Sequence, residues 1–275
     1  MKCIINGKLI LPDQIVEGKA IVFDKKIEAI VDPAELDKYE NLEVIDAQGN
    51  YVSPGLVEVH MHGCGGDDTS DNNPGAIQRM SKMIAGFGVT SWLPTSMTLP
   101  KEHLAVTFQQ AREAKEASAA DPAAWGGAQV LGVNMEGPYI NVKNKGAHVA
   151  EYIQAPDVEF TKEYADVIKL VTIAADVEGG MEYIERITNE TDIICSLGHT
   201  VASYDIAKEA FKKGCKHVTH LFNAQTGLHH RDPGVVGASL TSPDVYTEMI
   251  CDSLGIHVSA DIQRLMLHNK GIDKV

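Results

Sequence analysis

The fold class that this sequence predicts is α/β: an incomplete (β/α)8 barrel of the TIM type, about seven strands present, behind a small N-terminal β-sandwich domain. Three observations predict it. Residues 1–52 are short β-type runs broken by turn signals. From Ser53-Pro54-Gly55 onward, apolar strand-like runs alternate with amphipathic helical stretches, the order of parallel βαβ units. Four of those apolar runs close on residue types that ligate metals, as expected where a barrel carries its reacting groups at strand carboxyl ends.

The first domain, 1–52, reads as the runs Cys3–Asn6, Lys8–Leu11, Lys19–Phe23, Ile27–Val31 and Leu42–Asp46. Asn6-Gly7, Asp24-Lys25 and Gln48-Gly49-Asn50 supply the turns. In the second, 53–275, strands are expected near Leu56–His60, Thr90–Leu93, Val130–Met135, Leu170–Ala174, Ile193–Leu197, His217–His220 and Thr247–Cys251. Helical stretches fall at Pro74–Phe87, Lys101–Ala119, Gly180–Asn189, Ser203–Lys213 and Ser259–Asn269. Seven strand–helix units are one short of a full barrel, and the chain stops where the eighth strand is expected.

Composition narrows the function classes. With 44% hydrophobic and 23% charged residues over 275 positions, the chain is an ordinary globular sequence. Its formal net charge of −14 argues against nucleic-acid and anionic-membrane partners, so any phosphate must be gripped locally. The N-terminus has no charged-then-apolar leader and no run reaches membrane-spanning length, which makes the cytoplasm the expected location. Five cysteines, scattered and never in a C-x-x-C pair, do not form a disulfide framework or zinc knot.

Chemistry is expected where the strands end. Strand one closes with His60-Met61-His62, and the two-residue period of a strand sends both imidazoles to one face. Strand three closes on Glu136-Gly137-Pro138, strand five on Gly198-His199-Thr200, and strand six on Thr219-His220-Leu221-Phe222-Asn223. One carboxylate and two imidazoles on a common rim match a divalent ion with few protein ligands and an open position, so Glu136, His199 and His220 form the expected primary site. Cys64, Asp67, Asp68 and Asp71 read as loop and helix-start residues, Lys143 and Lys145 as surface lysines, and Trp92 and Met97 as core or pocket wall.

These segments resemble the N-acetylglucosamine-6-phosphate deacetylases of the amidohydrolase superfamily. The resemblance rests on Ser-Pro-Gly-Leu-Val-Glu-Val-His-Met-His-Gly (53–63), Glu-Gly-Pro-Tyr-Ile (136–140), Lys-Gly-Ala-His (145–148), Gly-His-Thr (198–200), Thr-His-Leu-Phe-Asn-Ala (219–224) and Gly-Ile-His-Val (255–258). It implies that Glu136, His199 and His220 ligate Zn²⁺, Fe²⁺ or another divalent metal ion, one or two per subunit. His60 and His62 would be the pair used by members holding a second ion. It further implies that His148 polarises the acetamide carbonyl and that Asn223, Ala224, Arg231 and His257 contact the amino-sugar phosphate. The full-length form would be a homodimer, with Arg231 acting across it.

The expected reaction is hydrolysis of N-acetylglucosamine 6-phosphate to glucosamine 6-phosphate and acetate. In the family the acid/base aspartate stands on strand eight, after Val275, and Asp273 reads as a turn residue, so impaired turnover is expected. Two residue-level departures stand out. Cys251-Asp252-Ser253-Leu254-Gly255-Ile256-His257 is longer than the family's Asp-Gly-Ile-His, and Asn134 replaces a common His. Two alternatives stay open: a truncated non-catalytic sugar-phosphate- and metal-binding homologue, or another amidohydrolase. Against the second, strand four, Leu170-Val171-Thr172-Ile173-Ala174-Ala175, lacks the lysine of many dinuclear members.

Overall fold

A computed structural model describes residues 1–275. The chain divides into two compact units, Met1–Leu56 and Val57–Val275. In the first, a four-stranded sheet runs in the order Ile27–Val31, Ala20–Phe23, Lys2–Ile5, Glu43–Asp46, and a three-stranded sheet joins Ile15–Val16, Lys8–Ile10 and Tyr51–Val52. Cys3, Leu9, Ala20 and Val22 are its buried side chains, on alternating positions of their strands.

The second unit is an incomplete (β/α)8 barrel. Its strands are β1 (Leu56–Met61), β2 (Val89–Ser96), β3 (Val133–Glu136), β4 (Ile168–Ile173), β5 (Ile194–Leu197), β6 (His217–Val218) and β7 (Tyr246–Thr247). They pair in chain order, and from β2 to β7 every ladder is parallel. A side-chain hydrogen bond from His60, near the end of β1, to Glu248, just after β7, at 2.8 Å, shows that the sheet curls until its outer strands meet at the carboxyl rim.

Helices α1 (Ala76–Ala85), α2 (Lys101–Ala120), α3 (Val158–Glu163), α4 (Gly180–Glu190), α5 (Tyr204–Lys212), α6 (Gly234–Leu240) and α7 (Ala260–Lys270) cover the sheet. On α1 the buried residues Ala76, Ile77, Met80, Ser81 and Ile84 make one stripe of helical period. Each buried Ile or Met there contributes about 1.5–3 kcal/mol relative to exposure. Starts follow from caps: Asp157 accepts from Phe160 N–H at 3.0 Å, and Ser203 Oγ accepts from Ile206 N–H at 3.3 Å. Trp92 is core, its indole N–H donating to Ser81 Oγ at 2.9 Å.

Three expected strands are corrected. The run Val130–Met135 is broken, because Gly132 takes φ +154° and sits against Val167 O. Only Gln129–Val130 and Val133–Glu136 pair with β2. Strand six stops at Val218, not His220, since His220, Phe222 and Ala224 all adopt positive φ. Strand seven ends at Thr247 rather than Cys251, because its ladder partner β6 has by then left the sheet.

Candidate metal centre and active site

Glu136, the last residue of β3, is 2% exposed, and five imidazoles surround its carboxylate. Its Oε1 lies 3.0 Å from His199 Nε2, 2.9 Å from His220 Nε2 and 3.4 Å from His60 Nε2. Its Oε2 lies 2.9 Å from His62 Nε2 and 3.3 Å from His148 Nε2. Residues up to 160 positions apart in the chain thus present one nitrogen each to a single acidic group. All six line a cavity of about 1270 Å³ at the carboxyl rim, where Asn223, Ala224 and His257 also stand.

The partner of each Nδ1 decides what the opposite nitrogen can do. His199 Nδ1 is 2.8 Å from Asn144 O, His220 Nδ1 is 3.2 Å from Asn223 O, and His62 Nδ1 is 3.2 Å from Thr95 O. His60 Nδ1 is 2.8 Å from the Glu248 carboxylate. Carbonyls and carboxylates only accept, so each of these rings keeps a proton on Nδ1, and it is the Nε2 side that faces the centre. His148 is the reverse: its Nδ1 accepts from Thr98 N–H at 3.2 Å, which leaves the proton on Nε2. Four rings therefore turn Nε2 to the centre with Nδ1 held by an acceptor, and His148 alone has Nδ1 held by a donor.

Backbone conformation places the two deepest imidazoles. His199 and His220 have φ of +46° and +28°, left-handed values that cost roughly 1–3 kcal/mol at a non-glycine residue. Surrounding bonds hold them there: Asn141 N–H donates to His199 O at 2.8 Å, and Asn223 N–H donates to His220 O at 2.9 Å. A glycine beside His199 allows the close approach, since a Cβ on Gly198 would stand 2.8 Å from Thr172 Cγ2 and 2.8 Å from Thr219 Cβ. The His60–His62 arm is pinned by Met61 N–H to Thr95 Oγ1 at 3.0 Å, and by Asn134 Nδ2–H to Val59 O at 2.9 Å. Asn134 thus clamps the arm and does not point to the centre.

Burial opposes ionisation of Glu136, but the hydrogen bonds from His148, His199, His220 and His60 outweigh it and hold the carboxyl well below its ordinary range. Burial depresses His148, against the pull of Glu136, and keeps it neutral. His60 goes the other way: burial lowers it, yet Glu136 and Glu248 together push it up to about 10.

An ionised carboxylate and several inward Nε2 atoms, once these give up their protons, are a donor set that fits a divalent cation. The His199 and His220 Nε2 atoms lie only 3.1 Å apart and both face the Glu136 carboxylate, so a cation bound there would take the place of the protons they give it. Two groupings of ligand atoms are close enough for one ion: His60, Glu136 and His220, and Glu136, His148 and His199. The Nε2 proton disqualifies His148 as a ligand in its neutral form, leaving Glu136 and His199 from the second grouping.

The remaining expected residues divide. Asn223, Ala224 and His257 reach the cavity, the last held by Asp252, whose Oδ2 accepts from His257 N–H at 3.0 Å and lies 3.1 Å from its Nδ1. Arg231 does not line it and is exposed on the loop before α6. Lys145 ties its own loop, donating to His148 O at 3.0 Å, while Lys143 is exposed. Cys64 is half-buried in a short hairpin strand, and Asp67 pairs with Arg79. Asp273 is exposed in the turn Ile272–Lys274. Reasoning from strand ends missed Glu248, because it lay inside the run taken as strand seven.

A carboxylate and imidazoles at the carboxyl rim of a parallel barrel define a class of metal-centred hydrolase scaffolds. The sequence model of the amidohydrolase family matches residues 51–273, and the chain belongs to that family. It is 34% identical to the N-acetylglucosamine-6-phosphate deacetylase of Bacillus subtilis over 265 residues, 95% of this chain and 65% of that protein. It is 32% identical to an N-acetylgalactosamine-6-phosphate deacetylase of Escherichia coli over 223 residues, 80% of this chain and 57% of the relative. The crystal structure of N-acetylglucosamine-6-phosphate deacetylase from Pasteurella multocida superposes with TM-score 0.88 at 36% identity, covering 99% of this chain and 69% of that one. The chain therefore spans between about half and two thirds of the length of these proteins.

Proposed function

We propose that this chain carries the metal and sugar-phosphate site of a deacetylase acting on N-acetylglucosamine 6-phosphate. The observation that carries the reading is the convergence of Glu136, His199 and His220, with one imidazole, His148, reversed into a donor. Glu136, His199 and His220 would hold one divalent cation, Zn²⁺ foremost, and His60 with His62 a second. Such a cation acidifies water and polarises a carbonyl.

The chain's own residues supply the rest. His148 Nε2–H aims into the cavity and donates to the acetamide oxygen as charge builds on it. Asn223 and Ala224 grip the sugar phosphate, and His257, steadied by Asp252, meets the sugar. The C–N bond breaks, the oxygen of water enters acetate, and the proton that water gives up goes to the leaving amine of glucosamine 6-phosphate. Arg231, exposed and outside its own cavity, reaches the phosphate of a neighbouring protomer in a homodimer. Five free cysteines accord with a cytoplasmic, reducing location. Residues 1–52 are read as the N-terminal part of a small sandwich domain that precedes the barrel in the chain.

The test is calorimetric binding of N-acetylglucosamine 6-phosphate to the Zn²⁺-loaded chain, with acetate release recorded in parallel. N-acetylglucosamine and N-acetylgalactosamine 6-phosphate serve as comparison ligands. The reading expects the phosphorylated glucosamine derivative to bind more tightly than the unphosphorylated sugar. Equal affinity for both, or for neither, would overturn it. Acetate release separates turnover from binding alone.

A further inference from the structure

Glu248 follows β7 and belongs to none of the ligand positions assigned above. Its side chain is 8% exposed, and its Oε2 accepts from two directions: His60 Nδ1–H at 2.8 Å and His220 N–H at 3.2 Å. One oxygen therefore touches the ring of the first-strand arm and the backbone of the sixth-strand ligand. Its own backbone is tied in: Glu248 N–H donates to Val218 O at 2.9 Å, and Leu221 N–H donates to Glu248 O at 2.8 Å.

The far oxygen, Oε1, has no hydrogen-bond partner. Oε1 lies 3.5 Å from His217 Nδ1, which is 2.9 Å from Ser196 Oγ, itself 2.6 Å from Thr219 Oγ1. What holds the carboxylate towards His60 is its Oε2, which accepts from two donors. A buried carboxylate so placed has one evident consequence for the ring it faces: it can only accept, so His60 must keep a proton on Nδ1, and the lone pair it can offer a cation is on Nε2.

We infer that Glu248 is a positioning residue of the metal centre, fixing the tautomer and orientation of His60 while anchoring the backbone of His220 with the same oxygen. The inference rests on the ligand assignment made under the proposed function. Glutamine is the discriminating replacement, because it preserves shape but can present N–H to His60 Nδ1. That would move the ring proton to Nε2, where the cation must sit.

The experiment measures Co²⁺ affinity by chelator competition, with the visible absorption spectrum of the bound ion. It uses the full chain in five forms: unsubstituted, Glu248→Gln, His60→Ala, the double substitution, and Glu136→Ala. Loss of a carboxylate behind a ligating histidine typically weakens metal binding about 10–100-fold, and that loss with an altered spectrum is expected for Glu248→Gln. In the His60→Ala background the same change should cost clearly less.

Unchanged affinity and spectrum in Glu248→Gln, or an equal loss in both backgrounds, would overturn the inference. If Glu136→Ala binds Co²⁺ like the unsubstituted chain, the ligand assignment itself has failed, and the inference with it. Should Glu248→Gln not fold, Glu248→Asp is read in its place. It keeps the charge but withdraws the oxygen from His60, and undiminished Co²⁺ affinity there overturns the inference equally.

Discussion

The Thr98 amide donates to His148 Nδ1 at 3.2 Å, and that single bond sets His148 apart from the four other rings at the centre. Neutral His148 must hold its proton on Nε2, whereas His60, His62, His199 and His220 hold theirs on Nδ1. Nitrogen-15 NMR of the imidazoles reads this directly. One ring among these five is expected as the Nε2–H tautomer. His148→Ala should retain bound metal and lower any deacetylation by about 10²–10³-fold, the usual loss on removing one oxyanion donor. Loss of metal in that variant would make His148 a ligand instead.

Gly198 is a steric requirement. An added methyl would meet Thr172 and Thr219 at 2.8 Å, and both are buried in the barrel interior. Gly198→Ala should lower the melting temperature by the equivalent of about 1–3 kcal/mol, the cost of overpacking. At Gly227, where nothing lies within 4 Å of the added atom, the same change should be close to neutral. Equal effects at the two sites would show that the packing around His199 is looser than described.

Thiol labelling at pH 8 with a disulfide reagent should find Cys251 first, because it is exposed. Cys195 and Cys215 are buried, and burial pushes Cys195 up to about 12 and Cys215 higher still, so almost no thiolate is present on either. These two, with buried Cys3, should react only after denaturant is added. Stoichiometric labelling of all three in the native protein would contradict the core packing.

Much of the barrel was legible because its helices are amphipathic. The expected Lys101–Ala119 differs from the observed Lys101–Ala120 by one residue at its end, and the expected Ser203–Lys213 from Tyr204–Lys212 by one at each end. Helix α6, Gly-Val-Val-Gly-Ala-Ser-Leu, escaped because six of its seven residues are buried and no polar face marks a period. The proposed ligands stood out as polar types ending apolar runs. What spacing could not disclose is the partner of each second nitrogen. Three of those partners are main-chain carbonyls, of Thr95, Asn144 and Asn223, which any residue type supplies. Glu248 was lost to a strand boundary placed four residues too far along.

Elemental analysis of the purified chain and its variants tests the central claim, that Glu136, His199 and His220 share a cation. The unsubstituted protein should carry one or two equivalents of a divalent metal. Glu136→Ala and His199→Ala should each lose most of it, while His148→Ala keeps it. Unchanged stoichiometry in both Glu136→Ala and His199→Ala would contradict the account.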